Sequence, residues 1–230
     1  MIEENIKRIK EEIFETSLKY GKNYSDIEIV GVTKTVEPER ILPIKNAGIT
    51  HIGENRVQEY LYKYDFYKEN NFKKSIIGHL QTNKVKYIID KVDLIQSVDS
   101  LKLAEEISKQ AKKHNKTMEI LLEINIAGEV SKSGVSYNEV FEFAHKISEL
   151  DNILVKGIMA IPPIFETESI TRGYFEKLYK IYIDIKSKKI DNIYMDILSM
   201  GMSKDYLYAI MEGSNMVRIG TGIFGKRTNM

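Results

Sequence analysis

Ile2, Ile6, Ile9 and Ile13 recur at steps of four and three among lysines and glutamates, the period of one helical face. Residues 2–20 are therefore predicted to open the chain as an amphipathic helix. Beyond Gly21 the pattern changes to short apolar or β-branched runs, the size of buried parallel strands. These runs span 28–33 (EIVGVT), 49–53, 75–79, 92–97, 119–126, 154–161, 194–199 and 216–221, eight in all. Helical patterns lie between them at 38–47, 54–68, 82–90, 99–114, 137–150, 171–188 and 203–212. Pro38 stands in the first turn of its helix, Ser136 and Glu139 have capping-box spacing, and Ser203 is placed as an N-cap.

Strict alternation of strand and helix, with crossovers long enough for parallel pairing, points to an α/β protein. Eight strands favour a closed (β/α)8 TIM-type barrel. An open doubly wound sheet has the same alternation and stands as the alternative. After the eighth strand only "GIFGKRTNM" follows, too short for a covering helix, whereas an extra helix precedes the first strand. A closed ring makes those two places neighbours, so the amino-terminal helix is expected to cover the seam. No linker or shift of composition interrupts residues 1–230, which read as a single domain.

Composition narrows the function classes. Lys plus Arg number 34 against 33 Asp plus Glu, a net charge of +1, which offers no electrostatic footprint for nucleic acid or an anionic membrane. The absence of cysteine removes disulfides, thiolate metal sites and cysteine nucleophiles, and is compatible with a reducing compartment. The start "MIEENIKRIKEEIF" is charged throughout, unlike a secretory signal, and no apolar run reaches the ~18 residues of a membrane span. A soluble, cytoplasmic monomer is the expectation.

In such barrels the carboxyl ends of the strands share one mouth, where the chemistry sits. The exits here carry Lys34, "GENRVQE", "GHLQTNK" with His79, "SVDS", "NIAGEVSKSG", "MAIPP", "SMGMS" and "RIGTGIFG". Alternation places Val30, Val32 and Lys34 on one face, and Met216, Arg218 and Gly220 on another. If both faces are internal, a lysine and an arginine share a low-dielectric cup that favours the neutral, nucleophilic amine, able to form a Schiff base with an aldehyde. A lysine reaching solvent at a strand end is the competing reading. "IGTG", residues 219–222, combines glycines that open backbone N–H groups to a ligand with a threonine hydroxyl, a sensible phosphate cradle. "SMGMS", residues 199–203, opens the other side; a plain tight turn is the competing reading for each. The four histidines show no zinc-ligand spacing, and Glu123 shares an inward parity with Leu121 and Asn125 as a buried acid or a structural carboxylate.

The segments "VGVTKT", "GENRVQE", "IGHLQTNKVK", "SVDS", "NIAGEVSKSG", "GIMAIPP" and "LSMGMSKDYLYAIMEGSNMVRIGTGIFGKR", in order from about residue 28 to 227, resemble the YggS/PROSC-type pyridoxal 5′-phosphate homeostasis family. Its barrel is similar to the amino-terminal barrel of alanine racemase. The resemblance implies that Lys34 carries pyridoxal 5′-phosphate covalently as a Schiff base. It further implies that Ser199, Met200, Gly220 and Thr221 hold the phosphate, that Arg218 faces the pyridine nitrogen, and that Asn55 and His79 lie near the cofactor. An arginine at that nitrogen disfavours its protonation and weakens the electron sink. Two places depart from the family pattern. The usual S-K-T-K-P reads T-K-T-V-E, putting Val36 where a second lysine stands, and "WHFIGHLQ" reads "KSIIGHLQ"; Lys132 is kept. The implied function is a carrier and regulator of pyridoxal phosphate that serves apo-enzymes with little turnover, since a racemase's second acid–base residue comes with an additional β domain that would need chain beyond Met230. A minimal amino-acid racemase of fold type III and a barrel-based interaction protein are the alternatives.

Overall fold

Val30, Leu94, Leu121, Met159 and Met216 come from five different runs of the sequence, yet they pack together in one apolar cluster separate from the main core. A ring of strands explains this, because alternate side chains of every strand then meet on its axis. The structure is a computed structural model that describes residues 1–129, 133–163 and 167–225. Its strands are β1 (Glu28–Val32), β2 (His51–Glu54), β3 (Lys73–Ile76), β4 (Leu94–Val98), β5 (Met118–Asn125), β6 (Val135–Ser136), β7 (Ile153–Met159), β8 (Ile193–Met202) and β9 (Met216–Ile219). All pairings are parallel. They run β1–β2–β3–β4–β5–β7–β8–β9 and return from β9 to β1, a closed eight-stranded barrel. The open sheet is thereby excluded. The two-residue β6 lies outside the ring, paired with the end of β5.

Alternation sorts β1 cleanly. Val30 faces the axis, while a Cβ built on Gly31 would meet Ile44 Cδ1 at 2.8 Å in the outer layer, so the glycine lets the Ile44 side chain of α2 lie close on the strand. The outer layer comprises α1 (Ile2–Lys19), α2 (Pro38–Asn46), α3 (Val57–Tyr62), α4 (Tyr64–Glu69), α5 (Leu101–Lys113), α6 (Val140–Ser148), α7 (Glu168–Ser187), α8 (Tyr206–Met211) and the one-turn α9 (Thr221–Phe224). α1 buries Ile6, Ile9 and Ile13 and packs against α2, α8 and α9, which places it over the junction of β9 and β1 as expected. Asn5 Nδ2 donates to Ile223 O at 2.9 Å, and Tyr206 donates its hydroxyl to Glu12, tying α1 to the chain's last turns.

Local readings fail where tertiary contacts intervene. The helical pattern over 54–68 is broken at Lys63 into α3 and α4. The pattern over 82–90 forms a 3-10 segment, Thr82–Tyr87. Ser136 belongs to β6 and donates its hydroxyl to Glu139 Oε2 at 2.5 Å; α6 starts only at Val140, so no capping box forms. Ser203 is not an N-cap either. α8 begins at Tyr206, and Asp205 Oδ1 accepts the Met202 N–H at 2.6 Å.

Candidate cofactor site

β1 ends at Val32, two residues before Lys34, so strand parity does not carry through to the lysine. Lys34 is the second residue of a tight turn closed by the Val36 N–H on Thr33 O at 3.0 Å. Thr35, the third residue, has φ 61°, a left-handed conformation that a β-branched residue rarely adopts. Surrounding contacts impose it. The Thr35 N–H donates to Glu59 Oε1, and the Thr35 hydroxyl to Lys34 O at 2.6 Å. Lys34 itself is half-buried, while Val36, where the family pattern has a second lysine, is packed into the outer core.

Beneath this turn lies a buried polar network that the sequence did not announce. Lys63, 3% exposed, donates to Thr33 O at 2.8 Å, Glu54 Oε1 at 3.0 Å and Glu59 Oε1 at 2.7 Å. Glu54 Oε1 also accepts the hydroxyls of Tyr67 at 2.7 Å and Thr33 at 2.8 Å. Burial pushes the Glu54 carboxyl above its ordinary range in spite of Lys63 and Tyr67, and its Oε2 has no hydrogen-bond partner among the described residues. The break between α3 and α4 follows from this network, because it draws the Lys63 side chain inward.

The second element of the site is the turn after β9. A Cβ built on Gly220 would lie 3.3 Å from Val32 Cβ, so the glycine turn abuts the last residue of β1. The Gly220 and Gly222 N–H groups both donate to Ser203 Oγ, at 3.2 and 3.0 Å. Two amides thus converge on a single oxygen, and Thr221 between them is exposed. Met200 turns its side chain into the outer core, so only its backbone is free to serve this turn.

Arg218 lies inside the barrel, in register with Val30 and 3% exposed. It donates to Ser199 Oγ at 2.5 Å and to Ala160 O at 2.9 Å. Burial pulls its guanidinium down to about 10, against the opposing pull of Asp205 and Glu123. Ser199 is fully buried, and its hydroxyl donates to Gln96 Oε1 at 2.7 Å, so that proton is committed within the barrel and not toward the glycine turn. Glu123 is 8% exposed, with an Oε2 that has no hydrogen-bond partner among the described residues; burial and then Asp99 push its carboxyl up to about 7, with Arg218 and His79 opposing. His79 stands at the rim, its side chain 59% exposed, with Nδ1 3.1 Å from Asp99 Oδ2. Asn55 is half-buried, its backbone pressed against Gly78, where a Cβ would meet Asn55 O at 2.6 Å. Lys132 lies outside the described residues.

An amine on a turn, two converging glycine amides with serine and threonine hydroxyls, and a buried guanidinium form a donor set for an oxyanion joined to a carbonyl compound. Among the described residues no group of histidines and carboxylates could hold a metal, and no helix is long and apolar enough to cross a membrane. The family described as alanine racemase, N-terminal domain, matches residues 2–228. The chain belongs to that family. A pyridoxal phosphate homeostasis protein of Aquifex aeolicus is 42% identical over 224 residues, covering 97% of each chain. A crystal structure of a protein from Bifidobacterium adolescentis superposes with TM-score 0.91 at 34% identity, over 96% of this chain and 94% of that one. PipY of Synechococcus elongatus, solved with PLP bound, superposes with TM-score 0.85 at 25% identity, over 98% of this chain and all of that one. Membership in the family and the closed barrel agree with what the motifs implied.

Proposed function

We propose that this chain holds pyridoxal 5′-phosphate at the carboxyl-terminal mouth of its barrel, covalently through the Lys34 amine, and acts in pyridoxal phosphate homeostasis. When bound, the cofactor supplies an aldehyde that reacts reversibly with amines. The chain's own residues do the rest. The turn held by Glu59 and the Lys63 network presents Lys34, the Gly220 and Gly222 amides exchange Ser203 Oγ for the phosphate alongside the Thr221 and Ser203 hydroxyls, and Arg218 lies at the ring end with Asn55 and His79 toward the rim. Met200 contributes through its backbone, and Ser199 acts by orienting Arg218. The observation that carries this reading is the packing of Gly220 against Val32, which brings the oxyanion donors beside the strand that leads to Lys34. The name of the Aquifex relative supports a role in homeostasis, and we propose storage and delivery to apo-enzymes as the form that role takes.

Three measurements test it. The protein incubated with pyridoxal phosphate should turn yellow, and borohydride followed by peptide mass spectrometry should place the adduct on Lys34. Lys34→Ala should abolish both signals, and an unchanged adduct in that variant would reassign the site. A minimal racemase is the competing activity within this family; Lys34-dependent incorporation of solvent deuterium at Cα of an added amino acid would establish it.

A further inference from the structure

A string of polar side chains runs through the interior of the barrel, from Arg218 at the mouth to Glu28, where β1 begins. Arg218 Nη1 meets Ser199 Oγ at 2.5 Å, Ser199 Oγ meets Gln96 Oε1 at 2.7 Å, and Gln96 Nε2 meets Ser75 Oγ at 3.4 Å. Ser75 Oγ meets His51 Nε2 at 2.6 Å, and His51 Nδ1 meets Glu28 Oε1 at 2.8 Å. Ser75, Gln96 and Ser199 are fully buried, His51 is 1% exposed, and Glu28 lines a cleft of about 490 Å³ between α1 and the amino ends of β1 and β2.

The direction of every bond follows from the ends. A guanidinium can only donate, so Ser199 accepts from Arg218 and spends its one proton on an acceptor. The Gln96 amide oxygen is that acceptor, which fixes the amide orientation and leaves Nε2, with its two hydrogens, to donate to Ser75 Oγ and to Met216 Sδ, each at 3.4 Å. Ser75 in turn gives its single proton to His51 Nε2. The imidazole must therefore be neutral with its hydrogen on Nδ1, and that N–H donates to the Glu28 carboxylate. Five bonds point the same way, from a buried cation to an anion, an arrangement in which each bond polarises the next. An imidazole hydrogen on Nε2 would leave Ser75 receiving two donors with no acceptor for its own proton among these partners.

We propose that His51, at the opposite end of the barrel from the cofactor mouth, is a positioning residue for that mouth. As the Nδ1–H tautomer it terminates a one-way hydrogen-bond chain that holds Ser199 and Arg218 in a single orientation. This rests on the reading of the mouth as a pyridoxal phosphate site, whereas the tautomer does not. The expectation for the wild-type protein without cofactor is a His51 ring protonated on Nδ1 and bare on Nε2 at neutral pH, read from two-bond ¹H–¹⁵N correlations on histidine-labelled protein. An Nε2–H tautomer or a doubly protonated ring overturns the chain. His51→Leu should weaken pyridoxal phosphate binding about tenfold, the loss of one or two hydrogen bonds. His51→Gln, which restores an acceptor for Ser75, should recover most of that loss. Equal weakening in both variants, or none in either, overturns the positioning role. Should His51→Leu fail to fold, Ser75→Ala cuts the same chain with the imidazole in place and should weaken binding comparably; full affinity there overturns the proposal. A wild-type protein that binds no pyridoxal phosphate removes the positioning role together with the reading of the site, and leaves the tautomer result to stand by itself.

Discussion

Lys63 and Glu54 form an ion pair at 3.0 Å with side chains only 3% and 0% exposed, and the same ammonium donates to the backbone of the turn that presents Lys34. Removing one member of such a pair strands the other charge in a low-dielectric interior. Lys63→Met should therefore cost about 3–5 kcal/mol, read from urea unfolding. Adding Glu54→Leu to that variant should restore part of the loss, because an apolar pair no longer requires desolvated charge. A single variant within about 0.5 kcal/mol of wild type would show that the network contributes nothing to stability.

Glu123 gives the protein a pH dependence opposite in sign to that of a paired surface carboxylate. Its folded-state value of about 7 lies above the ordinary 4.5 because burial disfavours the charged form. Between those two pH values the folded chain keeps a proton that the unfolded chain has released, so stability falls as pH rises through the window. The total loss on going above about pH 7 is about 3 kcal/mol. Glu123→Gln should abolish that component, so unfolding free energies of the two proteins should diverge between about pH 4.5 and pH 8, with the variant the more stable at the upper end. Parallel curves would mean that Glu123 titrates as an exposed carboxylate does.

Much of this architecture was written in periodicity. The eight runs of the barrel and the helix over its seam follow from alternation and counting, and each strand begins or ends within a few residues of its expected place. What alternation cannot supply is the register between strands. Gln96 in "DLIQS" and Ser199 in "DILSM" look like isolated polar interruptions, and only the ring closure places them 2.7 Å apart. Ser203 shows the same limit. Its position before a helical pattern suggested a cap, whereas the fold brings it to the glycine amides of a turn 17 and 19 residues later. Within the pattern of 54–68, Lys63 shows only an i,i+4 spacing to Glu59, as on a solvated helical face, and the partners that bury it, Thr33 and Glu54, belong to other elements.

Gly78 stands where two chain segments touch without room for a side chain. An added Cβ would meet Asn55 O at 2.6 Å, Asn55 Cα at 2.8 Å and Asn55 Cβ at 3.0 Å, all but the last of these backbone atoms. Gly78→Ala should cost about 1–3 kcal/mol by overpacking and displace Asn55 from the mouth. Cofactor binding should weaken beyond what the stability loss explains, measured well below the melting temperature. Wild-type affinity in the folded variant would remove Asn55 from the site.

The assignment of the turn after β9 to the phosphate separates from every other part of the site through a ligand that lacks the phosphate. Thr221 is exposed and lies between two glycines whose amides already converge on an oxygen. Its hydroxyl can donate to an oxyanion, and a hydrogen bond to a charged group is stronger than one between neutral partners. Thr221→Val keeps the shape and deletes the donor. Affinity for pyridoxal phosphate should then fall roughly tenfold, while affinity for pyridoxal stays within about twofold, because the neutral alcohol makes no such bond. Thermal stability should not change, since the side chain is in solvent. An equal loss for both ligands would place Thr221 at the ring or the aldehyde, and no loss for either would move the phosphate to another loop of the mouth.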